Sequence, residues 1–140
     1  MMRLLFGCIL AAAGVMAAAG TQDDAAIRVP LENYMKGHAT GNGDFMRKAF
    51  HPDARMTYVN EGKLQIVPIT DFIARFTGKP AADEALRKRY IENITASNDS
   101  AVATLVLDYP DVRFVDYMTL LKINGEWKII NKSFHKEPKL

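Results

Sequence analysis

Asn124-Gly125 separates two long runs of alternating character, Arg113 to Ile123 and Glu126 to Phe134, and this pair of runs restricts the fold more than any other feature. Both turn residues tolerate the positive φ of a type I′ turn, so the runs are expected to fold back on each other as an antiparallel hairpin. A two-residue loop pairs Ile123 with Glu126, Lys122 with Trp127, Leu120 with Ile129, Met118 with Asn131 and Asp116 with Ser133. Register fixes which side chains share a face, because successive residues of a strand point in opposite directions. One face then collects Phe114, Asp116, Met118, Leu120, Trp127, Ile129, Asn131, Ser133 and His135. The other carries Tyr117, Thr119, Ile130, Lys132 and Phe134, a mixed surface suited to solvent or a partner.

The same period of two extends upstream. Lys88 to Ser97 and Ala101 to Tyr109 flank a turn at Asn98-Asp99, and Pro110-Asp111 leads into the last hairpin, so the second half reads as an antiparallel meander. In the Asn98-Asp99 hairpin a two-residue loop puts Tyr90, Glu92, Ile94 and Ala96 on one largely apolar face with Ala101, Ala103, Leu105 and Leu107. The first half has helical periodicity instead. Ile27, Leu31, Tyr34, Met35 and His38 define a helix from Asp23 to Ala39, stopped at Gly41, with Pro30 either kinking it or lying in its first turn. Asp44 is expected to cap a second helix ended by His51-Pro52, and Thr70 a third carrying Phe72, Ile73 and Phe76 with Gly78 as its stop. Between them, Arg55 to Asn60 and Lys63 to Val67 flank Glu61-Gly62 as two short strands. Helices followed by long antiparallel strands give an α+β domain with helices over one face of a bent sheet.

Met1, Met2 and Arg3, an apolar run from Leu4 to Met16 and small residues Ala17 to Ala19 form the pattern of an export signal. The apolar run is too short for a membrane span and has no basic flank after it, so no stable membrane anchor is expected. Residues 1–19 are thus read as a signal peptide and residues 20–140 as a single exported domain, periplasmic or extracellular. The lone cysteine, Cys8, leaves with the signal, so the mature chain relies on its core and not on a disulfide. Eighteen Lys and Arg against sixteen Asp and Glu is too even a balance for a nucleic-acid footprint, and no phosphate-binding glycine motif occurs.

The order of elements, with several local signatures, resembles the nuclear transport factor 2-like superfamily and within it the putative lumazine-binding family. The signatures are Tyr34-Met35-Lys36-Gly37-His38 with Gly43-Asp44, Phe50-His51-Pro52-Asp53-Ala54, Asn98-Asp99-Ser100-Ala101 and the continuous run Asp116 to Lys132. The resemblance covers Ala25 to His135. It implies a cone-shaped, cystatin-like shell of three N-terminal helices against a curved antiparallel sheet, enclosing a pocket, and often a homodimer through the outer sheet face. Members of the superfamily include isomerases, dehydratases, polyketide cyclases and noncatalytic binders, so the fold leaves the activity open.

Within that shell the first face of the last hairpin becomes the concave wall. Asp116, Asn131, Ser133 and His135 then lie beside an apolar floor, the pattern of a small-molecule pocket with a few polar anchors. Asp116 orienting His135, or Glu92 raised in pKa by burial, would make an acid-base catalyst. Tyr34, His38, Tyr58, Met118, Trp127, Asn131 and Ser133 are the candidate ligand-binding residues. Three isolated histidines match no zinc spacing and no serine occupies a nucleophile elbow, so neither a metal nor a cofactor is expected. The expected function is binding of a small hydrophobic, aromatic or polycyclic ligand without turnover. A cofactor-independent isomerase, dehydratase or cyclase and a dimeric protein-interaction module are the alternatives.

Overall fold

A computed structural model describes residues 19–140, with side chains from Asp24 onward. The export signal expected over residues 1–19 lies, apart from the backbone of Ala19, outside the described residues. Helix α1 spans Ala19–Thr40, α2 Gly43–Ala49 and α3 Ile69–Ile73. Strands β1 (Phe50–Asn60) and β2 (Lys63–Pro68) form one hairpin. A short 3-10 turn at Glu84–Leu86 leads into β3 (Lys88–Ser97), β4 (Ser100–Asp108), β5 (Val112–Ile123) and β6 (Glu126–Pro138).

The six strands form one sheet in the order β2-β1-β6-β5-β4-β3. The meander is antiparallel throughout, whereas β1 runs parallel to β6, so the sheet is mixed and not purely antiparallel. Joining β1 to β6 is a non-local pairing that no turn residue announces. It brings the N-terminal helices over the concave face. There Ile27, Leu31 and Tyr34, spaced along one stripe of α1, are fully buried against Met46, Phe50, Leu105, Met118, Leu120 and Ile129. Pro30 lies inside α1, beyond its first turn.

Turn chemistry places the hairpin turns where the sequence puts them, although β1 begins at Phe50, ahead of the expected Arg55 and in place of the end of the second helix, and β6 runs on to Pro138. Glu61 and Gly62, and Asn124 and Gly125, all adopt positive φ, as type I′ hairpins require. At the end of α1, Gly41 has φ +67°, and a Cβ there would lie 1.9 Å from the Lys79 carbonyl oxygen, so this stop admits no side chain. Two caps differ from expectation. Asn42, not Asp44, caps α2, its side chain accepting from the Asp44 N–H at 2.8 Å, while Asp44 pairs with Arg47. Helix α3 starts one residue before Thr70 without a side-chain cap, and Pro68 holds the N-cap position.

Both long hairpins keep the expected register near their turns and then slip by one residue. In the last hairpin Leu120 faces Ile129 as expected, but Thr119 faces Asn131, so Ile130 is an extra residue in β6. In the other, Asn93 faces Thr104 and Ile91 faces Leu105, leaving Glu92 as the extra residue in β3. A bulge of this kind bends the strand and sends every later side chain to the opposite face. These two bulges decide the composition of the concave wall.

Candidate functional site

Past Ile130 the inward positions of β6 belong to Lys132 and Phe134 instead of Asn131, Ser133 and His135. Met118 now faces Lys132 and Asp116 faces Phe134. Lys132, read from sequence as a surface residue, is 4% exposed and lies against the fully buried Asp116. Its ammonium donates to Asp116 Oδ1 at 2.5 Å, and the Tyr34 hydroxyl donates to Asp116 Oδ2 at 2.6 Å. One carboxylate is thereby held from opposite layers, by the helix through Tyr34 and by the sheet through Lys132. Burial lowers the Lys132 ammonium below its ordinary range, against the pull of Asp116. For Tyr34, burial first and the Asp116 charge second push the phenol well above its usual range.

Above this trio lies a cavity of about 300 Å³. Its wall is drawn from α1 (Tyr34, His38), β1 (Met56), α3 and the loop after it (Phe72, Arg75), the segment before β3 (Arg87), and the sheet and its turn (Leu107, Tyr109, Phe114, Lys132, Phe134). Aromatic rings meet around it edge to face or, for Phe72 and His38, tilted. Tyr34 and His38 have centroids 4.7 Å apart, Phe72 lies 6.1 Å from His38, and Phe114 lies 6.0 Å from both Tyr109 and Phe134. The Arg87 guanidinium stacks 4.2 Å over Tyr109, and Lys132 lies 4.3 Å from the Phe134 ring centre.

His38 lines this wall with its hydrogen bonding incomplete: among the described residues its Nε2 is buried without a partner. Burial, followed by the positive charges of Lys132, Arg89 and Arg87, lowers its pKa to about 3, so the ring is neutral at physiological pH. A neutral imidazole offers one donor and one acceptor, and an unsatisfied one in a cavity wall is suited to a ligand's polar atom.

The remaining sequence candidates lie elsewhere. Asn131 points to the outer face and donates to the Thr57 hydroxyl at 3.4 Å. Ser133 and the exposed His135 border an outer groove of about 440 Å³ with Thr57, Val59 and Leu64. The expected Asp116–His135 contact is thus absent, because the bulge turns His135 away. Glu92 is exposed at the β3 bulge, where Ile91 and Arg89 take the inward positions expected of Glu92 and Tyr90. Tyr58 stacks on Phe134 with centroids 4.9 Å apart, at the rim. Met118 is sealed in the core. Trp127 lines a separate groove of about 360 Å³ with Ala26, Val29, Pro30, Asn33 and Lys48, at the turn end of the last hairpin. Among the described residues no three His, Cys, Asp or Glu side chains come together as a metal-holding group.

Sequence reasoning missed Lys132, Phe134, Arg75 and Arg87 as wall residues. Lys132 and Phe134 had one local signal, the apolar pair Ile129-Ile130, since two adjacent apolar residues in a strand with one buried face are compatible with a bulge. Arg75 and Arg87 reach the wall from irregular segments that no period describes.

The family model described as putative lumazine-binding matches residues 22–135. A crystal structure of an NTF2-like protein from Shewanella baltica OS155 superposes with a TM-score of 0.76 at 28% identity, covering 84% of this chain and 96% of that one. An NTF2-like protein from Methylobacillus flagellatus KT is 31% identical with a TM-score of 0.72, covering 84% of this chain and 94% of that one. Among curated proteins, Aldolase FrzH from Cladobotryum sp is 21% identical over 108 residues, which is 76% of this chain and 85% of that protein.

Proposed function

Since this chain belongs to the putative lumazine-binding family, a group within the NTF2-like fold, we propose that its cavity binds a small aromatic or polycyclic ligand without transforming it. One observation carries this reading: both carboxylate oxygens of Asp116 are engaged from within the protein, while His38 Nε2, in the ring-lined wall, is not. A carboxylate serving as a base needs a free oxygen within reach of the substrate proton, and here each is tied into a buried pair. Flat rings suit a wall of edge-to-face aromatics, and the volume is near the lower end of small-ligand pockets.

Binding of aromatic compounds from a panel of one- to three-ring molecules is expected to raise the melting temperature. In Met56→Trp, which fills the cavity from β1, affinity should fall at least about tenfold with circular dichroism unchanged. If no member of the panel stabilises the protein, the reading fails.

A second reading, acid-base catalysis, is favoured by the Tyr34–Asp116–Lys132 chain together with the likeness to an aldolase. Prolonged incubation separates the two. A bound compound recovered chemically unchanged supports simple binding, whereas conversion that is lost in Tyr34→Phe supports the enzyme.

The mature protein is proposed to act outside the cytoplasm as a homodimer. The leader pattern of residues 1–19 supports export, and the exposed outer-face residues Val59, Leu64, Ile66, Val102 and Tyr117 support pairing through the sheet. Protein recovered from the exported fraction should have an intact mass lacking residues 1–19. Its native mass should be twice that, falling to the single-chain mass in Tyr117→Asp; a monomeric wild type would remove the dimer.

A further inference from the structure

Charge is distributed unevenly around the cavity. Three cationic residues, Arg75, Arg87 and Lys132, are in the wall, and no carboxylate is. Two of them are neutralised from outside it: Lys132 by Asp116 below, and Arg87 by Asp83, whose carboxylate accepts from the Arg87 Nε at 2.8 Å. Arg89, behind Tyr109, is likewise matched by Glu84 through bonds of 2.5 and 2.8 Å. Arg75 has no ion-pair partner among the described residues. Once each pair is set against its counter-charge, one positive charge is left over at a wall made mostly of rings.

We infer, resting on the binding reading above, that the ligand is an aromatic monoanion of one or two rings whose carboxylate is received by Arg75. A guanidinium matches a carboxylate in geometry as well as charge. Size supports the class, because about 300 Å³ accommodates one or two fused rings and not a long polycycle. His38 adds a second polar anchor: its Nε2, buried in the same wall with no partner among the described residues, is available to another polar atom of the ligand.

Isothermal titration calorimetry with 2-naphthoate and 4-hydroxycinnamate, each compared with its methyl ester, tests the assignment. Each acid is expected to bind about tenfold more tightly than its ester, an advantage that shrinks as ionic strength rises. In Arg75→Gln, at an exposed position, the ratio of acid affinity to ester affinity should drop below about threefold. Esters binding as tightly as acids in the wild type would overturn the anion and leave the binding reading standing. An acid preference that survives intact in Arg75→Gln would overturn the role of Arg75. Failure of both acids and esters to bind would overturn this inference, and a simultaneous failure of the wider aromatic panel would take the binding reading with it.

Discussion

Asp116→Leu is expected to lower the unfolding free energy by about 3–5 kcal/mol, the cost of stranding one member of a buried ion pair. Asp116 is fully buried and Lys132 nearly so, and the two meet at 2.5 Å. Removing the carboxylate leaves the ammonium charged in a ring-lined pocket, or forces it to release its proton, and orphans the Tyr34 hydroxyl as well. Lys132→Met should be similarly costly from the other side. The triple variant Tyr34→Phe/Asp116→Leu/Lys132→Met should recover most of the loss, since apolar groups of similar shape have no desolvation penalty to offset. Urea denaturation of the single and triple variants measures this directly. Singles costing under about 1 kcal/mol, or a triple as damaged as the sum of its parts, would contradict a closed network, because members of one network do not act additively. The same arithmetic bears on catalysis: loss of activity in an Asp116 variant is interpretable only once its folding has been measured.

His38 should make the fold weaken in acid. The unfolded chain takes up a proton on this imidazole near its ordinary value of 6.5, while burial and then neighbouring cations hold the folded ring neutral down to about pH 3. Between those values the unfolded state binds more protons than the native one. The stabilising contribution is therefore fully present above pH 6.5 and is lost as pH falls toward 3, at a limiting slope of about 1.4 kcal/mol per pH unit. Carboxylates titrate in the lower part of this window, so the informative quantity is the difference between wild type and His38→Phe. Chemical denaturation from pH 7 to pH 4.5 should give a steeper fall for wild type, with the two curves parallel above pH 7. The phenylalanine also removes a buried nitrogen that has no hydrogen-bond partner, so the variant should be no less stable than wild type at pH 5. Equal acid slopes in the two proteins would show that His38 is not buried as a neutral ring.

Both expectations concern residues whose roles were legible to different degrees in the sequence. The spacing of Tyr34 and His38 from Ile27 and Leu31 puts them on one helix face, and the helix brings both to the cavity. Counting back from Asn124-Gly125 puts Asp116 on the inner sheet face, and it is buried there. The same count gives it the wrong partner. Counting works only while the ladder stays regular, and the extra residue at Ile130 transfers the inward direction from Asn131, Ser133 and His135 to Lys132 and Phe134. Glu92 fails for the same reason in β3, where the bulge falls on the candidate itself.

Local chemistry in the sequence by itself determined the hairpin turns, the stop of α1 and the order of helices and strands, because positive φ and periodicity act over a few residues. Family membership was equally readable, in the run from Asp116 to Lys132 and the segments before it. Tertiary structure alone decided the parallel union of β1 with β6, the two one-residue slips, and the meeting of Tyr34, Asp116 and Lys132. Each depends on how a curved sheet closes over helices distant in the chain. A bulge forms where bending the sheet buries more apolar surface than the lost ladder bonds would stabilise, and that balance is set by packing across the whole domain, not by the residue at the bulge.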